Sequence, residues 1–260
     1  MTNTRELALI TGASSGIGKA FAERLAAGGY DLIVVGRRRD RLDDLAAALP
    51  VNVEVVAADL ATDEGIDAVA ALAAARPLTM LVNNAGVAHY MPMAELSAAQ
   101  ARELVHVKVV APAMLTRAAL PGMLRNRNGM IVNVAGMIAF SGPAPSTQMP
   151  RRAVYAGTLA NSVAWSQTLH AELDGTGVGV HVVCPGVVAT EFHEVQGMDL
   201  SAVPRMSAAD VVTATLTGIK LGEVVIAPGV QDPALLDAVF QADLTAFAGQ
   251  SPELAARYRS

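Results

Sequence analysis

Cysteine and long apolar runs are scarce in this chain, and each scarcity excludes a class of protein. The one cysteine, Cys184, allows neither an internal disulfide nor a cysteine-based metal site, so we expect no metal. We interpret Cys184 as a small buried residue at the end of a strand. No apolar run approaches the roughly 20 residues that a membrane span requires, and the N-terminal segment lacks the pattern of a signal peptide. We therefore expect a soluble cytoplasmic protein with no membrane partner.

Positive charge is limited as well. The formal net charge is −5, and the basic cluster from Arg37 to Arg41 is short. Such a surface offers no extended positive footprint for a polyanion. We therefore expect no nucleic-acid partner. Because the segments around the expected pocket also carry little charge, we expect a small-molecule substrate that is apolar and uncharged.

Short strand-like runs alternate with helical patterns rich in alanine and leucine along the whole chain. The runs are residues 7–11, 31–35, 53–57, 80–83, 130–134, 179–183 and 224–227. Alternation of this kind implies parallel pairing, and nearly continuous apolar strands imply a sheet that is covered on both faces. We therefore predict an α/β protein: a single doubly wound Rossmann-type domain over residues 1–260, with a seven-stranded parallel sheet and helices on both faces. We interpret residues 192–206 as a lid and residues 231–260 as a C-terminal helical extension.

The segment TGASSGIG lies between the first apolar strand and the first amphipathic helix. In this segment Gly12 allows a sharp turn, Gly16 allows the backbone to approach a pyrophosphate, and Gly18 allows the helix to pack closely. The N-terminus of the helix then faces the phosphates. The pattern predicts a dinucleotide site that also includes Ser14, Ser15 and Ile17.

Four further signals follow the glycine segment in chain order. They are Asp59-Leu60, NNAG at residues 83–86, Tyr155 at the start of a long helix, and PGVVAT at residues 185–190. Together these motifs resemble the short-chain dehydrogenase/reductase family across nearly the whole chain. The resemblance implies a homodimer or homotetramer and further cofactor-binding residues: Asp59, Leu60, Asn83, Ala85, Gly86, Pro185, Gly186, Val188 and Thr190.

The second strand ends without the acidic residue that an NAD-selective enzyme places against the ribose hydroxyls. Gly36 stands there and is followed by arginines. A guanidinium group is a natural partner for a phosphate dianion. We therefore predict that NADP(H) is favoured over NAD(H), with Arg37 as the chief phosphate contact and Arg38 as the second. The alternative is a solvated helix start in which Arg41 pairs with a nearby aspartate.

The chemical half of the site departs from the family pattern. The resemblance implies that Tyr155 transfers a proton, but Leu159 stands where the family has a lysine, Gly136 where it has a serine, and Lys108 where it has an asparagine. Free tyrosine titrates near pH 10 and burial raises that value, so an opposing cation is needed. Apart from Lys19 and Lys220, Lys108 is the chain's one lysine. We interpret Lys108 as a relocated lysine, with a surface or oligomer-seam position as the alternative.

Two other sources of catalytic groups are available in the sequence. His89 follows NNAG closely and is a candidate acid or base at neutral pH. The segment after Met137 is longer than the family pattern, and Ser141, Ser146 or Thr147 could return a hydroxyl to the site; the alternative is a polar loop tip.

Three functions are therefore open at this level. The first is an NADP(H)-dependent carbonyl reductase or alcohol dehydrogenase that uses Tyr155 and Lys108. The second is an enzyme of the same fold that catalyses a cyclisation, dehydration or aldol-type step. The third is a catalytically silent binding or scaffold subunit, because a shared fold does not decide function.

Overall fold

The computed structural model describes residues 5–144, 151–200 and 202–259. The chain divides into two compact units, Met1–Pro228 and Gly229–Ser260. The second unit starts within two residues of the predicted C-terminal extension. It contains one longer helix, Ala234–Ala248, and a single 3-10 turn, Ala256–Tyr258.

The first unit is built on a seven-stranded sheet in the order β3-β2-β1-β4-β5-β6-β7. Every neighbouring pair of strands is parallel. This confirms the predicted fold class. The predicted strand ends are correct to within one residue. The strands are β1 Leu7–Thr11, β2 Asp31–Gly36, β3 Val53–Ala57, β4 Met80–Asn83, β5 Gly129–Val134, β6 Val178–Val183 and β7 Val225–Ile226.

Helices connect the strands. They begin at sequence-encoded caps in several places: the side chains of Thr62, Ser97 and Ser207 each accept a hydrogen bond from a backbone N–H of the first turn. In the first unit the helices are α1 Gly16–Ala27, α2 Arg39–Ala48, α3 Asp63–Ala75, α4 Ala98–Val105, α5 Ala111–Asn126, α6 Ala153–Glu172, α7 Phe192–Val195 and α8 Ala208–Leu221.

The helices cover both faces of the sheet, and each face has its own apolar core. Successive side chains of a strand point to opposite faces. On one face Ile10 of β1 packs in a cluster with residues of α1, α2 and α8. On the other face Leu9 of the same strand packs in a cluster with residues of α3, α5 and α6. Both side chains are fully buried, which explains why the strands are almost continuously apolar.

By length and composition alone, the continuous helical stretch Ala98–Asn126 could cross a membrane, which the sequence analysis did not foresee. This stretch consists of α4, a five-residue π-helical turn at His106–Val110, and α5. Its residues Leu104, Leu115 and Met123 are fully buried within the fold. We therefore interpret it as a core helix of the α/β unit.

The strand order reverses direction at β1, since the chain runs from β1 towards β3 on one side and from β4 towards β7 on the other. Ligands of doubly wound sheets bind beyond the carboxyl ends of the strands at this switch point. The loops that follow β1, β4, β5 and β6 therefore define where a site is expected.

Close packing of the glycine loop on α1 gives a stability prediction. A Cβ atom at Gly18 would overlap the carbonyl oxygen of Gly12, with Asn84 also too close. We expect Gly18→Ala to lower the free energy of unfolding by about 1–3 kcal/mol in urea denaturation.

Gly157→Ala is the matched control for this prediction. Gly157 lies in the interior of α6 with nothing within 4 Å of an added Cβ. This substitution should leave stability unchanged or raise it by up to about 1 kcal/mol, because alanine has the higher helix propensity. Equal stability of Gly18→Ala and the wild type would contradict the packing described here.

Candidate active site

A cavity of about 660 Å³ lies at the carboxyl ends of the strands, where the switch point predicts it. Its wall brings together the glycine loop, the end of β2, the NNAG loop, the start of α6 and the PGVVAT loop. Most of the predicted site residues line this cavity: Gly12, Ser14, Ser15, Gly16, Ile17, Arg37, Arg38, Asp59, Leu60, Ala85, Gly86, Lys108, Tyr155, Pro185, Gly186, Val188 and Thr190.

The glycine loop has the geometry that a dinucleotide pyrophosphate requires. Gly16 has a φ of +56°, and a Cβ atom there would lie 3.1 Å from the Thr190 side chain. The same residue begins α1, whose N-cap Ser15 makes no side-chain capping hydrogen bond. The free backbone N–H groups of the first turn are therefore available to an anion. These residues fit the predicted nucleotide cofactor.

Two of the predicted cofactor residues do not line the cavity. Gly18 acts only in packing, as described above. Asn83 points into the interior, where its Nδ2 donates to Oδ1 of Asn133 at 2.9 Å and to the hydroxyl of Thr116 at 3.3 Å. The next residue, Asn84, lines the cavity instead, and its Nδ2 donates to the carbonyl of Thr11 at 2.9 Å. We predicted Asn83 as part of the cavity wall, but the wall residue is its neighbour Asn84.

The arginines at the end of β2 have unequal roles. Arg38 extends over the glycine loop, where its Nη2 donates to the hydroxyls of Ser14 and Ser15, each at 2.9 Å. The Arg37 side chain is 59% exposed and makes only a long ion pair of 3.7 Å with Glu103. This geometry favours Arg38 as the main phosphate contact, which reverses the order expected from the sequence.

Glu191 is a cavity residue that the sequence analysis missed. Its carboxylate pairs with Arg41 at 2.7 Å and with Arg38 at 2.5 Å. The hydrogen bond from Arg41 is the largest cause that lowers the pKa of Glu191 to about 2, and Arg38 and Ser15 add to it. The pairing shows that Arg38, Arg41 and Ser15 together hold an anion. The signal in the sequence that could have revealed this pairing is the acidic residue directly after Thr190, whose charge is opposite to that of the arginines.

Lys108 lies in the π-helical turn with its side chain directed into the protein. It is only 7% exposed. A Cβ atom at Gly86 would lie 2.5 Å from its Nζ, so the ammonium group passes directly over that glycine. Within the described ranges Lys108 has no hydrogen-bond or ion-pair partner, and burial lowers its pKa to about 8. The structure therefore places an uncompensated cation in the cavity wall.

Tyr155 lies in the first turn of α6 and is 6% exposed. Its ring contacts that of Tyr90 edge-on, with 5.4 Å between the centroids. Burial raises the pKa of Tyr155 well above its usual range, and Tyr90 raises it further. We expected the Lys108 ammonium group to lower the pKa of Tyr155, but burial and Tyr90 are what shift this pKa. The phenol is therefore a neutral acid in this structure.

His89 does not take part in the cavity. Its Nε2 lies 2.9 Å from the Glu103 carboxylate, outside the described cavity lining. The structure therefore pairs His89 with Glu103 rather than with Tyr155, and a catalytic role of His89 stays a prediction. The adjacent Tyr90, which the sequence analysis missed, lines the cavity, as does His193 of α7.

Gly136 and Leu159, which stand where the family has its serine and its lysine, are neighbours in the structure. Leu159 is fully buried, and its Cδ1 lies 3.6 Å from where a Cβ at Gly136 would be. Ser141 also lines the cavity, but its hydroxyl donates to the carbonyl of Ile138 and accepts from Arg152. Ser146 and Thr147 lie outside the described residues. Ser141 is thus held as part of the loop rather than free for substrate.

Comparisons with known proteins agree with this geometry. The family model described as short chain dehydrogenase matches residues 6–200. The chain is 35% identical over 190 residues to the uncharacterized oxidoreductase YmfI of Bacillus subtilis, covering 71% of this chain and 76% of that protein.

Two solved structures are similar over nearly the whole chain. A short-chain dehydrogenase from Sphingobium yanoikuyae in complex with NADPH is 33% identical, with a TM-score of 0.91 and coverage of 98% of this chain and 100% of that one. The bulky-bulky ketone specific alcohol dehydrogenase from Comamonas testosteroni is 28% identical, with a TM-score of 0.86 and coverage of 98% and 99%. Because the family model matches well over half of the sequence and the fold agrees from end to end, the chain belongs to the short-chain dehydrogenase family.

Proposed function

We propose that the chain is an NADP(H)-dependent carbonyl reductase or alcohol dehydrogenase that acts on an apolar, uncharged substrate in the cytoplasm. The observation that carries this proposal is the buried, unpaired ammonium group of Lys108 in the same cavity as Tyr155 and the glycine loop. The similarity to an NADPH-bound dehydrogenase and to a ketone-specific alcohol dehydrogenase supports it. We also propose a homodimer or homotetramer without nucleic-acid or membrane partners.

Lys108 is difficult to explain as a structural residue. Burial lowers its pKa from 10.5 to about 8, which corresponds to a loss of roughly 3 kcal/mol of stability at neutral pH. An apolar side chain at this position would avoid that loss. The charge is therefore expected to serve a bound ligand.

The nucleotide half of the cavity holds the cofactor. The backbone N–H groups at the start of α1 bind the pyrophosphate, and Arg38 with Ser14 binds the 2′-phosphate of NADP(H). When bound, the cofactor supplies a hydride to the carbonyl carbon. Gly86, which carries no side chain, lets the Lys108 ammonium approach the cofactor side of the cavity.

Tyr155 supplies the proton. Since its pKa is raised, the phenol stays protonated through neutral and moderately alkaline pH and can donate to the carbonyl oxygen. The Lys108 ammonium offsets the negative charge that develops on the oxygen and on the phenol. Carbonyl reduction is therefore the favoured direction at neutral pH, while alcohol oxidation needs the phenolate and hence high pH.

Cofactor preference tests the nucleotide assignment. We expect Arg38→Ala to weaken NADPH binding by roughly 10- to 100-fold and to affect NADH far less, because a charge-assisted hydrogen bond to phosphate is lost. Arg37→Ala, the adjacent control, should have a smaller effect. Titration of both nucleotides by calorimetry measures this. An equal loss of NADPH and NADH affinity in Arg38→Ala would remove the phosphate assignment.

The pH dependence of reduction tests the charge on Lys108. If the ammonium is needed, kcat/KM should fall above about pH 8, because the lysine loses its proton there. Lys108→Arg keeps the charge and should move this alkaline limb to higher pH, while Lys220→Arg in α8 should leave it in place. An unchanged limb in Lys108→Arg would show that another group causes it.

The stability of a Lys108→Met variant tests the burial of the charge. The pKa of Lys108 is lower in the folded chain than its unfolded value of 10.5, so the penalty is fully present below about pH 8 and disappears as the pH rises towards 10.5. We expect Lys108→Met to unfold with a free energy up to roughly 3 kcal/mol higher at pH 7 and with a smaller gain at pH 10.

The exposed Lys19 provides the control for that measurement, since its side chain is 52% accessible. Lys19→Met should change stability little at either pH. If Lys108→Met were instead less stable than the wild type at pH 7, the lysine would have a structural partner and the proposal would lose its main support.

A further inference from the structure

Gly136 leaves the cavity without the hydroxyl that the family pattern would place beside Tyr155. Another hydroxyl is nevertheless present. Tyr90, four residues after the NNAG loop, lines the same cavity. Its ring contacts that of Tyr155.

The ring of Tyr90 is fixed from two sides. On one side it meets Tyr155 edge-on, at 5.4 Å between centroids and an interplanar angle of 72°. On the other side it stacks with His193 of α7, at 6.5 Å and 24°. An aromatic ring held in this way presents its hydroxyl at a defined point of the cavity.

We propose that the Tyr90 hydroxyl is a catalytic hydrogen-bond donor to the substrate carbonyl oxygen and takes the place of the absent serine. This inference rests on the proposed carbonyl reduction. The two tyrosine rings lie in contact in the wall of the same cavity. A carbonyl oxygen that enters between them accepts a hydrogen bond from each, so that it is oriented by two donors.

The step balances without a further reactant. The carbonyl carbon gains a hydride from the reduced nicotinamide, and the carbonyl π bond breaks as its electron pair moves to oxygen. The oxygen takes its proton from Tyr155, while Tyr90 keeps its proton and stabilises the developing negative charge. The product is the alcohol.

The space at Gly136 allows the missing hydroxyl to be restored. Among the residues that the structure describes, a Cβ there meets Pro185 O at 3.5 Å and Leu159 Cδ1 at 3.6 Å, both ordinary contacts. The backbone φ of 168° is extended and suits any residue. Gly136→Ser is therefore expected to fold normally and to place a hydroxyl at the family position.

The test compares wild type, Tyr90→Phe, Gly136→Ser and the double variant in ketone reduction with NADPH, using a ketone with two bulky apolar substituents. Tyr90→Phe should lower kcat/KM by about 100-fold, as expected for the loss of one oxyanion donor. In the Tyr90→Phe background, Gly136→Ser should raise kcat/KM at least tenfold. Its effect should be larger in the Tyr90→Phe background than in the wild type, because the serine hydroxyl and the Tyr90 hydroxyl supply the same donor.

Thermal unfolding and NADPH affinity provide the folding controls, and Tyr90→Phe should match the wild type in both. Undiminished kcat/KM in Tyr90→Phe would overturn the Tyr90 role while leaving the proposed function intact. A loss in Tyr90→Phe that Gly136→Ser does not rescue would also overturn the replacement of serine. Failure of the wild type to reduce any ketone would overturn the proposed function and this inference together.

A second readout needs no turnover. Ultraviolet titration of the phenols in the cofactor-free chain should show Tyr155 ionising at lower pH in Tyr90→Phe than in wild type, because Tyr90 raises the pKa of its neighbour. Tyr30→Phe, a tyrosine outside the described cavity lining, should leave that ionisation unchanged. An unchanged titration of Tyr155 in Tyr90→Phe would contradict the effect of Tyr90 on Tyr155 and with it the proposed pairing of the two hydroxyls on one carbonyl oxygen.

Discussion

A buried ammonium group with no counter-ion among the residues that the structure describes is the constraint around which this site is arranged. The desolvation of such a charge opposes folding unless a ligand or partner repays it. Lys108 meets this condition in the π-helical turn between α4 and α5, a type of irregularity that is frequent at functional sites. Its Nζ lies against Gly86, where a Cβ atom would be 2.5 Å away, so a side chain there would displace the ammonium group.

The cavity has two halves that respond differently to substitution. The nucleotide half keeps the turn, helix start and arginine that we propose bind phosphates, and there Arg38 and Arg41 pair with the carboxylate of Glu191. The chemical half differs from the family pattern. Leu159 packs beside Gly136, so these two positions provide neither a charge nor a hydroxyl. The cavity instead has the ammonium group of Lys108 and the hydroxyl of Tyr90 in its lining. We infer that the chemistry has moved to different backbone positions of the same fold.

Sequence patterns predicted those parts of the molecule that depend on local periodicity. The strands and the glycine loop follow from short apolar runs and from glycines whose neighbours leave no room for a Cβ. Side-chain direction was harder to predict. Asn83 and Asn84 exchange roles because adjacent residues at the end of β4 point to opposite sides. His89 and Tyr90 lie in the irregular loop after β4, where no periodicity indicates which side chain enters the cavity.

Long-range pairing explains the other differences between expectation and structure. Arg38 rather than Arg37 covers the glycine loop because Ser14, Ser15 and Glu191 offer it partners from distant segments. The sequence could suggest that Lys108 belongs to the site, but not that its ammonium group would be buried and unpaired. Nor could it show that burial and Tyr90, rather than Lys108, dominate the pKa of Tyr155 in the cofactor-free chain.

The central claim, that Lys108 supplies the positive charge of the catalytic site, is tested most directly by a crystal structure of the complete chain with NADP⁺. The account predicts that Nζ of Lys108 lies within about 5 Å of the Tyr155 hydroxyl, the range in which a cation stabilises a phenolate. A complex in which Lys108 turns away from the nucleotide, or pairs with a carboxylate of a second protomer, would contradict it.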